Sequence, residues 1–147
     1  MAADTYIFRA ALVGFSGVSR KLAVRGDETL ADLHQLLQFA FDWDDDHLYS
    51  FWLSGTFWDR QPGTEYTCST PWPEPGERGA RVRLDRLGLQ VGQKIAYVFD
   101  FGDEWRVRLS LIEIRPVGTK PCPPIFESRG EAPPQYSYDD EGLAETA

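Results

Sequence analysis

Two short segments hold ionisable side chains densely enough to do chemistry. Asp42-Trp43-Asp44-Asp45-Asp46-His47 places four carboxylates and an imidazole within six residues. Oxygen donors with one nitrogen suit Mg²⁺, Mn²⁺ or Ca²⁺. The spacing departs from the EF-hand pattern, and the plainer reading is a solvated acidic loop with a half-buried histidine at a strand start. The second segment is Tyr97-Val98-Phe99-Asp100-Phe101-Gly102-Asp103-Glu104-Trp105. Its Asp-Phe-Gly matches the magnesium-binding letters of protein kinases, but no glycine-rich loop or catalytic-loop motif accompanies it, so the match is accidental. As a hairpin turn, Asp100 and Asp103 cap N–H groups around Gly102 while the aromatics pack on its faces. Catalysis would require both segments together: Asp44, Asp46, His47, Asp100 and Asp103 holding a divalent metal whose bound water is the nucleophile.

No other arrangement supplies a nucleophile. The serines lie in no Gly-x-Ser-x-Gly elbow, and His34 and His47 are the only histidines. Neither a P-loop nor a dinucleotide fingerprint occurs. His34 lies on a helix beside Leu33, where a partly exposed structural residue is expected. Arg20, Lys21 and Arg25 form one small basic patch and Arg78, Arg81, Arg83 and Arg86 another, both expected to be solvated surface, the second with an acidic partner as its alternative. The aromatics Trp52, Trp58 and Trp72, with Asp100, Asp103 and Trp105 of the hairpin, are the candidates for a binding surface.

These groups must be positioned by a single domain. The chain has 147 residues, of which 42% are hydrophobic and 14% aromatic, enough for a core without staples. Lys and Arg number 15 against 23 Asp and Glu, a net charge of −8. That balance argues against nucleic acid and against anionic lipid, and suits basic or neutral partners, or a cation. Cys68 and Cys122 lie in no Cys-x-x-Cys pair. The first residues show no basic and apolar leader pattern, and no apolar run nears the roughly 20 residues of a membrane span. A cytoplasmic location is expected.

Tyr6–Val13 and Val18–Val24 are rich in strand formers around Gly14-Phe15-Ser16-Gly17, an antiparallel hairpin. Leu30, Leu33, Leu36, Leu37, Ala40 and Phe41 recur at helical spacing, with Asp32, Gln35 and Gln38 on the solvated side. Thr29 is the N-cap, and Asp32 completes a capping box. The acids from Asp42 onward then oppose the helix dipole. A third strand is expected over His47–Leu53, followed by a loop excursion over residues 56–80 that holds Trp58, Tyr66 and Trp72. Val82, Leu84, Leu87 and Leu89 suggest a short helical turn. Lys94–Phe101 and Trp105–Ile114 form a second hairpin, and residues 139–147 an acidic disordered tail after a domain at 1–138. The expected fold is α+β: an antiparallel or mixed sheet of about five strands, ordered β-β-α-β-(α)-β-β, with one long amphipathic helix on one face.

The motifs occur in a recognisable order. Tyr6-Ile7-Phe8-Arg9, Ser19-Arg20-Lys21, Thr29-Leu30-Ala31-Asp32-Leu33-His34, Trp43 with Asp46-His47-Leu48, and Tyr97-x-x-Asp100-Phe101-Gly102-Asp103-x-Trp105 together resemble the plasmid ORF-three-like family, also labelled insertion-element passenger or TnpR-like. The resemblance covers Tyr6 to Tyr138. It departs from the family at Ser19-Arg20-Lys21, where members often carry Trp-Arg-Arg. It implies an α+β fold, a bacterial or archaeal origin near mobile elements, and no particular activity. The resolvase-like label does not fit: a serine recombinase needs a nucleophilic serine among arginines and a DNA-binding segment, and a chain at −8 shows neither. The sequence thus favours a non-catalytic protein- or peptide-binding module associated with mobile elements, without a required cofactor. The alternative is a divalent-metal-binding, hydrolytic protein.

Overall fold

The structure, a computed structural model, describes residues 3–68, 79–118 and 123–135. Seven strands form one sheet: β1 (Thr5–Leu12), β2 (Ser19–Arg25), β3 (Tyr49–Trp52), β4 (Glu65–Thr67), β5 (Lys94–Phe99), β6 (Trp105–Arg115) and β7 (Ile125–Arg129). Their order is β4-β3-β5-β6-β1-β2-β7, and every neighbouring pair is antiparallel. One helix, α1 (Leu30–Ala40), and a single 3-10 turn at Leu84–Arg86 complete the regular structure of the described residues.

The expectation of about five strands beneath one long helix is therefore corrected. The protein is predominantly sheet, and its helix spans only 11 residues. Two edge strands account for the difference. β4 has three residues inside the 56–80 excursion, and β7 has five within a proline- and glycine-rich stretch. Neither is long enough to show an alternating pattern. Each exists because β3 or β2 presents free N–H and C=O groups for it to pair with. Trp72 and the segment after Gln135, including the acidic tail, lie outside the described residues.

The alternation of β1, β5 and β6 sends Phe8, Tyr97, Phe99, Leu109 and Leu111 to one face, where they pack with Leu30, Leu33 and Leu37 of α1. Thr29 starts the helix as expected: its hydroxyl accepts from Asp32 N at 3.1 Å, and the Asp32 carboxylate accepts from Thr29 N at 2.9 Å. The buried stripe differs in detail from the sequence pattern, because His34 and Gln38 are buried while Phe39 is 77% exposed. On the other face, the loop after β3 lays Phe57 over Trp52, Ala96 and Val98, and Phe101 joins this second, smaller cluster.

Candidate functional site

The helix–strand junction and the β5–β6 turn do meet. His47 Nε2 lies 3.5 Å from Asp46 Oδ1 and 3.4 Å from Asp100 Oδ2. Both carboxylates address the same imidazole nitrogen. Asp44 is used through its backbone, donating from N to Gln135 Oε1 at 2.7 Å, and Gln135 Nε2 donates to Asp46 at 3.1 Å. Asp100 is nearly buried in the left-handed region, φ 66°, and its Oδ1 accepts from Gly102 N and Asp103 N at 3.2 Å each. Asp103 is exposed. Among the described residues, no three His, Cys, Asp or Glu side chains are grouped so as to hold a metal. The composite metal centre gains no support from this geometry.

The aromatic candidates part company. Trp52, expected at the surface, is 1% exposed. Trp58 packs on it with the rings tilted and their centroids 5.0 Å apart, and stays 38% exposed, with Phe101 edge-on at 5.1 Å. The Trp58 indole N–H donates to Glu104 Oε1 at 3.0 Å, strapping the loop after β3 to the β5–β6 turn. Trp58, Asp100 and Glu104 all hold positive φ without being glycine, so backbone strain is concentrated in this corner. Trp105 packs with Phe15 and Trp43, each at 5.7 Å.

Sequence reasoning missed a buried polar network under the helix. His34 is 2% exposed, not the partly exposed residue expected, and Gln38 is 4% exposed, not solvated. His34 Nε2 lies 2.7 Å from Asp45 Oδ1, and Nδ1 lies 2.7 Å from the Tyr97 hydroxyl. Gln38 Nε2 donates to that hydroxyl at 3.1 Å, and Asp45 N donates to Gln38 Oε1 at 2.9 Å. One proton arrangement satisfies every member: Nε2–H donates to the carboxylate and the tyrosine O–H donates to Nδ1. The histidine also stacks on Tyr49 at 3.5 Å. Burial lowers the His34 pKa, with the Asp45 hydrogen bond opposing it, and burial pushes the Tyr97 hydroxyl well up. The Asp-His-Tyr order is that of an acid–base relay. It ends, however, on a hydroxyl whose residue is wholly buried, so it fastens α1 to β5. The signal was present in the sequence: His34 stands four residues after Leu30 and three before Leu37, on the apolar stripe.

Arg20 is a second correction. Assigned to a solvated patch, it is 7% exposed and donates to Ala40 O at 3.0 Å, Arg129 O at 2.9 Å and Gly130 O at 3.1 Å. A cation thus caps the C-terminal end of α1, offsetting the acids that follow.

Several of the other cations lie on the helix-free face. Strand register places Lys94 opposite Ser110, Ser110 opposite Arg9, and Arg9 opposite Lys21. The adjacent row runs from Trp52 through Ala96, Arg108, Ala11 and Ser19 to Arg129. Arg106 and Arg108 stand over the Phe57 ring at 5.2 and 5.0 Å, and Arg108 also donates to Gly55 O at 3.0 Å. Lys21 meets Glu127 at 3.4 Å, whereas Arg9, Lys94 and Arg108 make no ion pair among the described residues.

No described helix is long and apolar enough to cross a membrane. The uncharacterized protein y4hQ of Sinorhizobium fredii is 31% identical over 139 residues, covering 88% of this chain and 68% of its own. The crystal structure of MM3350, a protein of unknown function from Methanosarcina mazei Go1, shares the fold. Its TM-score is 0.75 over 93% of this chain and 76% of that one, at 22% identity. The family model described as plasmid pRiA4b ORF-3-like protein matches residues 5–146. The sequence motifs, the sheet they build and these matches agree: the chain belongs to the plasmid pRiA4b ORF-3-like family.

Proposed function

We propose that the chain is a non-catalytic protein- or peptide-binding module that works from the helix-free face of its sheet. One observation carries the reading: α1 and the main core occupy one face, while the other presents Arg9 and Lys94 exposed and Trp58 partly exposed at its rim. Half-exposed aromatics beside guanidinium groups are the side chains that anchor protein contacts. The ionisable clusters are occupied with one another, as the His34 network and the Asp100 turn illustrate. Association with mobile elements rests on the family's description alone.

The test is a photo-crosslinking residue placed at Ser110, in the middle of this face, and at Gln35 on the exposed side of α1, in cells of the source organism. A discrete protein adduct specific to position 110 is expected. No adduct, equal adducts at both positions, or an adduct that contains nucleic acid overturns the reading.

A further inference from the structure

Resting on that reading, we propose that the partner segment is acidic and docks across the Lys94–Arg9–Lys21 row of the helix-free face. The chain as a whole has more acid than base, 23 residues to 15, so its cations should find carboxylates readily. On this face three do not: Lys21 and Arg129 meet Glu127 and Arg106 meets Glu104, but Arg9, Lys94 and Arg108 are without an ion pair among the described residues, and Arg9 stands directly opposite Lys21. Like charges directly opposite on a sheet are destabilising. Much of the exposed acid lies elsewhere, on α1 at Asp32 and at the Asp42–Asp46 junction. The face is mixed, with Glu65, Glu113 and Glu127 in register opposite Trp52, Ile7 and Lys21, but its exposed Arg9 and Lys94 are left without an ion pair among the described residues.

Geometry favours an extended segment. Strands lie about 4.8 Å apart, so Lys94 and Arg9, two strands apart, are separated by roughly 10 Å, with Lys21 roughly 5 Å further along the same line. Alternate residues of an extended chain are about 6.8 Å apart, within reach of long, flexible cationic side chains. A peptide with carboxylates at alternate positions can therefore meet all three. A nucleic acid would carry a long run of phosphates past the acidic remainder of the molecule, where a charge of −8 repels it.

The experiment measures fluorescence anisotropy of a labelled Glu-Ala repeat peptide of about 12 residues against the full chain, at about 50 mM and 300 mM salt. The expected result is saturable binding, weakened at least about tenfold at the higher salt and by Arg9→Glu, but not by Arg83→Glu on the opposite side. A Gln-Ala peptide of equal length should not bind. Arg9→Glu creates an opposite-charge pair with Lys21, so the variant is expected to fold, which its thermal melt verifies. Absence of binding, equal loss in Arg83→Glu, or tighter binding of a single-stranded oligonucleotide of the same charge overturns the proposal. If the Ser110 crosslink persists while the acidic peptide fails, only the partner's acidity is wrong. If both fail, the binding-module reading falls with it.

Discussion

Arg9 and Lys21 face each other directly across the β1–β2 pair, two cations on adjacent strands of a protein whose net charge is −8. Lys21 draws partial relief from Glu127 at 3.4 Å, while Arg9 makes no ion pair among the described residues. A pair of this kind is tolerated at the expense of stability. Arg9→Glu should therefore stabilise the fold by about 0.2–1 kcal/mol, raising the melting midpoint by roughly 1–3 °C while weakening acidic-peptide binding. Calorimetry checks the first effect, and a lower midpoint would show that the pair is not unfavourable.

Tyr97→Phe removes the hydroxyl that serves both His34 Nδ1 and Gln38 Nε2. It leaves two buried polar groups without that partner and should destabilise by about 1–3 kcal/mol. Urea midpoints with an unchanged slope would report this. A cost near zero would mean that water replaces the hydroxyl.

His34 makes stability pH-dependent. Burial lowers its folded-state pKa below the usual 6.5. The unfolded chain therefore binds this proton more tightly than the folded one. The associated stability is fully present above the unfolded value and is lost as pH falls through 6.5 toward the folded value. His34→Gln cannot titrate. Between about pH 8 and pH 5, the wild type should lose stability relative to this variant. Parallel stability curves for the two proteins would sink the assignment.

Asp100 combines a left-handed backbone, φ 66°, with a carboxylate that accepts from Gly102 N and Asp103 N. Asparagine tolerates that backbone region and keeps an acceptor oxygen, whereas alanine does neither. Asp100→Ala should cost about 1–3 kcal/mol and Asp100→Asn clearly less. Equal costs would place the effect in the carboxylate charge and its pairing with His47.

Much of the framework could be read from local pattern. The two hairpins, the helix start at Thr29 and the 3-10 turn near Leu84 depend on neighbours a few residues away, as alternation, capping and turn chemistry do. The Tyr97–Trp105 motif likewise announced its turn. The shortest strands escaped notice because three or five residues show no period.

What only the tertiary structure decided is which charges are buried and which are left facing one another. Arg20 and Lys21 are adjacent in sequence, yet opposite sides of β2 make one a buried cap for α1 and the other part of an open cationic row. His34 and Gln38 look amphipathic on a helical wheel, and Tyr97, some sixty residues later, is what draws them inward. Arg9, Lys21 and Lys94 become neighbours through strand register, which the buried face imposes: a slip of one residue would expose Phe8 and Leu109 to water. Local propensity acts over a few residues. The core sets the register, and the register arranged the face on which the proposed function rests.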